Sequence, residues 1–223
     1  MTVWRAAGMF AGVSVVGAGA FLYYAFGAFL PWREEHEAAA LADLAGIRAR
    51  DVVGEIGAGG GRFSVALAKR VGSGGRVLAT ELSGEAVAAI AARAADEGLW
   101  NLTEIRGTRT DTHLPDRCCD VLLLRNVYHH VQDPLAFAAA LRRAVRDDGR
   151  LVLVDFNTGA LWFHGGRPGV TSVRRPGHGV ERGAAIAELT AAGFQLEREI
   201  PDWSGPMWLA IFRAPGASPP RQP

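Results

Sequence analysis

Three groups of side chains in this sequence have the types and spacing to do chemistry. "VVGEIGAGGGRF", residues 52–63, sets Glu55 just ahead of Gly57, Gly59, Gly60 and Gly61. Lacking Cβ atoms, such a turn reaches positive φ and lets a ligand lie against bare backbone, as nucleotide cradles do. "RVLATELS" brings Glu81 to the end of an apolar run, where a carboxylate can accept hydrogen bonds from both hydroxyls of a ribose. "RNVYHHVQDP" delivers Arg125, Asn126, Tyr128, His129 and His130 together. A neutral histidine takes up a proton near neutral pH, so His129 is the candidate general base, with His130 and Tyr128 as substrate-positioning groups.

Spacing separates the cofactors such a turn can serve. The dinucleotide pattern G-x-G-x-x-G started at Gly57 needs a glycine at position 62, which is Arg62; started at Gly59, it needs one where Ser64 stands. What fits is acidic-x-Gly-x-Gly-x-Gly, as Glu55, Gly57, Gly59 and Gly61. This resembles motif I of the class I S-adenosylmethionine-dependent methyltransferases. The resemblance implies that the loop backbone lies against the methionine part of the cofactor, that Glu55 helps hold its ammonium group, and that Glu81 takes the ribose. "GTRTDTHLPDRCCDVLLLR" is similar to the family's adenine-side loop and fourth strand, but Thr108 stands where an acidic residue often sits. Asp111 is the candidate substitute, and Asn126 is grouped with the cofactor ligands.

The resemblance covers roughly residues 35–213, and "NVYHHVQDP" looks like a bacterial subgroup acting on small molecules. The Asn-Pro-Pro-Tyr arrangement of many nucleic-acid amino methyltransferases is absent from that stretch. Two other readings stay open: a nicotinamide-dependent oxidoreductase on the same fold, and a non-catalytic scaffold that retains the cofactor loop.

Elements must hold these groups together, and the apolar runs supply them. "DVVGEI", "RVLATEL", "LTEIR", "DVLLLR" and "RLVLVDF" read as strands, alternating with helical stretches at "RFSVALAKRV", "GEAVAAIAARAADEG" and residues 133–145. Such alternation predicts an α/β, Rossmann-like sheet, mostly parallel, with helices on both faces. A last helix, "GAAIAELTAAGF", precedes two strands, "QLEREI" and "MWLAIFR", expected as a terminal antiparallel hairpin. The expected organisation is an anchor over 1–33, a linker helix over 34–50, the catalytic domain over 51–213 and a Pro-rich disordered tail over 214–223.

Residues 6–32 carry no charge and are long enough to cross a hydrocarbon core as one helix, with Trp4 and Trp32 at the expected interfaces. A cleaved signal peptide competes, since "AGA" at 18–20 has the form of a cleavage site, although the apolar run continues past it. Arg33, Arg48 and Arg50 follow the span and only Arg5 precedes it, which predicts a single-pass inner-membrane protein with a cytoplasmic domain. Gly8 and Gly12 form a GxxxG pair able to join two such helices in a homodimer.

The other features bound the function. With 24 basic and 23 acidic side chains, the chain has no field to gather nucleic acid. Cys118 and Cys119 are adjacent, a geometry that disfavours a bridge, so two free thiols are expected, with no metal site. A basic loop with Arg174, Arg175, His178 and Arg182 precedes the last helix at the edge where loops close over substrates. The expected acceptor is a small or lipid-like molecule delivered at the membrane.

Overall fold

The computed structural model describes residues 34–156 and 179–216. The expected apolar span, the loop with Arg174, Arg175 and His178, and residues 217–223 lie outside the described residues. Among those described, no helix is long and apolar enough to cross a membrane.

Strands β1 (Val52–Ile56), β2 (Arg76–Glu81), β3 (Leu102–Arg106), β4 (Cys119–Arg125), β5 (Val145–Phe156), β6 (Gln195–Ser204) and β7 (Met207–Arg213) form one sheet. Its order is β3-β2-β1-β4-β5-β7-β6. The first five strands are mutually parallel, and β7 runs antiparallel to both β5 and β6, as the terminal hairpin predicted. Helices are α1 over residues 34–45, α2 (Arg62–Val71), α3 (Gly84–Asp96), α4 (Pro134–Ala144) and α5 (Arg182–Ala191).

Both sheet faces are covered, which is why the inner strands are apolar at every position rather than at alternate ones. Val53, Val77, Val121, Leu123, Val152 and Val154 pack with α1, α2 and α3, whereas Leu122, Leu124, Leu151 and Leu153 pack with α4 and α5. The two-residue period then assigns the polar groups at the strand ends. Glu55 and Arg125 fall on the α1–α3 face, and Asp155 on the α4–α5 face. Strand order reverses between β1 and β4, so the crevice outside their carboxyl ends is the natural ligand position.

Helix starts differ in a way that serves this crevice. Ser83 Oγ accepts from the Ala86 N–H at the start of α3, Asp133 does so from Ala136 in α4, and Glu181 accepts from Gly183 and Ala184 in α5. Helix α2 has no side-chain cap; Gly61 stands there at φ 77°, leaving first-turn N–H groups to face the crevice.

One expectation is corrected at the opening of β4. The sulfurs of Cys118 and Cys119 are bonded to each other, where two free thiols were expected. Their Cα atoms are 3.8 Å apart, the fixed spacing of neighbours and below the range of most bridges, which is what had argued against it.

Candidate cofactor and methyl-transfer site

The loop after β1 is held in shape by its own backbone and by β2. Gly57, Gly59 and Gly61 have φ of 72°, 57° and 77°, the left-handed region that side chains resist. A Cβ on Gly57 would stand 2.3 Å from a methyl of Val127, so the turn after β1 meshes with the turn after β4. Gly57 and Ala58 donate their N–H groups to the Thr80 carbonyl, at 2.9 and 3.1 Å. Glu81 accepts from the Gly59 N–H and from the Leu82 N–H, both at 2.8 Å.

On the α1–α3 side the loop forms an acidic lobe. Glu55, only 4% exposed, accepts a short hydrogen bond from Ser64 Oγ of α2. With Glu34, the glycines, Arg62, Phe63 and Arg125 it lines a cavity of about 300 Å³. Burial pushes the Glu55 carboxyl up to about 7; Ser64 and the Arg125 charge oppose the rise, and the Glu81 and Glu34 charges add to it. Arg125 donates to Glu37 of α1 at 2.6 Å and lies over the Phe63 ring, 5.6 Å from its centroid.

On the other side of the loop a second lobe is lined by Ile56, Thr80, Glu81, Leu82, Gly107, Thr108, His130 and Phe137. Gly57 lines both lobes, so they meet at the first glycine. Asp111 does not line this lobe. Its carboxylate takes Arg143 at 2.7 Å and the His113 N–H at 2.8 Å, which folds the loop and leaves the lobe wall to Thr108. Asn126 likewise lines neither lobe; at φ 57° it turns the chain off β4, and its side-chain oxygen is buried without a hydrogen-bond partner.

The two histidine rings touch, their centroids 3.9 Å apart, but their other surroundings differ. His130 stands in the second lobe beside Glu81. His129 is buried on Asp155: its Nδ1 lies 2.8 Å from one carboxylate oxygen and its backbone N–H donates to the other at 3.1 Å. Asp155, with no exposed surface, also accepts from the Phe156 N–H at 2.9 Å. Tyr128, expected to position substrate, is placed in the core, its hydroxyl donating to Glu188 of α5 at 3.0 Å. A single 3₁₀ turn over Tyr128–His130 puts Tyr128 in the core and leaves the two histidine rings side by side.

The two lobes fit S-adenosylmethionine. A nucleoside end needs a ribose acceptor, for which the Glu81 carboxylate is the candidate, and an amino-acid end needs an acceptor for its ammonium group, for which Glu55 in the other lobe is the candidate. A pyrophosphate would instead meet the buried Glu55 carboxyl, an unfavourable partner for an anion. Among the described residues no cluster of His, Cys, Asp or Glu is arranged to hold a metal ion.

Comparison with known proteins agrees. Residues 54–153 match the family described as a methyltransferase domain. Over 108 residues the chain is 30% identical to an uncharacterized methyltransferase of Bacillus subtilis (strain 168), YcgJ; the alignment spans 48% of this chain and 42% of that protein, less than half its length. An S-adenosylmethionine-dependent methyltransferase from Aquifex aeolicus shares the fold with a TM-score of 0.68 at 20% identity, covering 79% of this chain and 89% of the other. A geranyl diphosphate methyltransferase in complex with S-adenosylmethionine shares it at 0.62 and 16% identity, covering 80% and 84%. Residues 54–153 are thus similar to the methyltransferase domain family, and the sheet shares the fold of an S-adenosylmethionine-dependent methyltransferase.

Three participants escaped the sequence reading. Glu34 and Glu37 sit in "EEHE", which reads as an acidic flank after an apolar run; their spacing of three residues, which puts both on one helix face, was the available signal. Ser64 gave no signal, because a hydroxyl in a first helical turn is commonplace.

Proposed function

We propose that this protein transfers the methyl group of S-adenosylmethionine to a small, lipophilic or membrane-associated acceptor, and that residues 6–32 anchor it in the inner membrane with the domain on the cytoplasmic side. The observation that carries the methyl-transfer reading is the cleft that meets at Gly57, with Glu55 buried in one lobe and Glu81 in the other. The acceptor class rests on the uncharged N-terminal run, and a geranyl diphosphate methyltransferase of similar fold supports the compatibility of this architecture with an apolar acceptor.

When bound, the cofactor supplies a methyl on a sulfonium, whose departure as a thioether needs no protonation. The work left to the chain is alignment and proton removal. Glu81 fixes the ribose end, Glu55 and the loop fix the amino-acid end, and the Asp155–His129 pair, at the carboxyl ends of β4 and β5, is assigned to the acceptor. With its Nδ1–H donated to Asp155, the basic nitrogen of His129 is Nε2, the group assigned to take the acceptor's proton.

The test is incubation of membranes containing the full chain with cofactor bearing a labelled methyl, followed by separation into lipid, quinone, protein and soluble fractions. Label in a lipid or quinone fraction supports the reading. Label confined to soluble molecules would remove the lipophilic acceptor, and tight binding of NADH with none of S-adenosylmethionine would remove methyl transfer altogether.

A further inference from the structure

Helix α1 brings two carboxylates to the lobe, Glu34 and Glu37, which with Glu55 outnumber the two guanidinium groups there, Arg62 and Arg125. Arg125 is engaged by Glu37 at 2.6 Å, with side-chain exposures of 28% and 15%. Glu34, one turn earlier, lines the cavity with Glu55, and one of its carboxylate oxygens is buried without a hydrogen-bond partner. Glu55 is more than nine-tenths buried, lines the same cavity, and has Ser64 as its hydrogen-bond partner. Two carboxylates lining one cavity repel, and a cation bound between them relieves the repulsion.

We propose that Glu34 is a second anionic ligand for the ammonium group of the cofactor's amino-acid end, and that the Glu37–Arg125 pair is the latch that holds α1 against the lobe. The inference rests on the methyltransferase reading and adds to it a residue and a helix outside the matched domain, which begins at residue 54. The division of labour follows from the geometry. Glu37 and Arg125 fix the helix; Glu34 completes the wall facing Glu55 and the glycine loop. Binding of the amino-acid end and docking of α1 are then linked, each favouring the other.

The test uses the full chain in detergent and titration calorimetry with two probes, S-adenosylhomocysteine, which has the amino-acid end, and 5′-methylthioadenosine, which lacks it. Glu34→Gln is expected to weaken S-adenosylhomocysteine about tenfold, the usual scale for one charge-assisted hydrogen bond, and to leave 5′-methylthioadenosine unchanged. Amide exchange over residues 34–45 is expected to slow when S-adenosylhomocysteine binds the parent chain and to stay fast in Glu37→Gln. Equal affinity of the parent and Glu34→Gln for S-adenosylhomocysteine would overturn the inference, as would equal weakening of both probes. A parent chain that binds neither probe would overturn the methyltransferase reading beneath it.

Discussion

Glu81 accepts the Gly59 N–H at 2.8 Å, so the carboxylate at the end of β2 is also a brace for the glycine loop of β1. A substitution there acts twice, on the ribose ligand and on the loop that cradles the other end of the cofactor. Glu81→Ala is expected to weaken S-adenosylhomocysteine at least a hundredfold, and Glu81→Gln, which keeps an acceptor oxygen for the loop, about tenfold. Calorimetry on the two variants orders them; equal losses would remove the bracing role.

The three loop glycines differ in what they tolerate. Gly57→Ala meets the Val127 methyl at 2.3 Å as well as the backbone penalty at φ 72°, whereas Gly59→Ala meets no atom within 4 Å and incurs only the backbone penalty. Urea unfolding should show a loss of about 3 kcal/mol for Gly57→Ala and about 1 kcal/mol for Gly59→Ala. Val127→Ala in the Gly57→Ala background should recover part of the larger loss.

Glu55 gives stability an inverted dependence on pH. The unfolded carboxyl titrates near 4.5 and burial holds the folded one near 7, so between those values the folded state binds more protons. Stability contributed by the protonated form is full below about 4.5, falls as pH rises to about 7, and is level above it, by at most about 3 kcal/mol. Glu55→Gln should abolish that slope and exceed the parent in stability at pH 8. An ammonium group in the lobe favours the ionised carboxylate, so binding of S-adenosylhomocysteine should release a proton near pH 6, readable by calorimetry in buffers of different ionisation enthalpy.

The Asp155–His129 pair separates catalysis from cofactor binding. His129→Ala should lower methyl transfer a hundredfold or more, the usual scale for a general base, with affinity for S-adenosylhomocysteine changed less than twofold. Asp155→Asn keeps the shape but not the charge, and should lower turnover while leaving affinity for S-adenosylhomocysteine unchanged. Asp155→Ala strands three buried N–H groups and should cost about 3 kcal/mol of stability.

Tyr128→Phe removes only the hydrogen bond to Glu188. It should cost about 1 kcal/mol in unfolding and leave turnover unchanged. A loss of turnover at unchanged stability would return Tyr128 to the acceptor site.

The sheet and its hairpin were legible because each inner strand carries an uninterrupted apolar run bounded by turn residues, a pattern with little ambiguity. The glycine loop was legible because spacing alone excludes the dinucleotide frame at Arg62. The histidine segment was not, since which side chain of one tight turn enters the core, meets Asp155 or lines the lobe is set by tertiary partners that no periodicity encodes. The Asp111–Arg143 pair was hidden for a related reason: the partners lie 32 residues apart, and composition does not announce such a pairing. Glu37 and Arg125 are 88 residues apart and share that obscurity.

The antiparallel course of β7 has a consequence for diversification. Because β7 runs against β5, its first residue, Met207, sits beside Phe156, and the turn at Gly205 stands at the rim where the parallel strands end. Lengthening or exchanging that turn would alter the rim beside Phe156 without changing the strands that carry Glu55 and Glu81, so a single hairpin tip offers a place where the scaffold can vary while its glycine loop is kept.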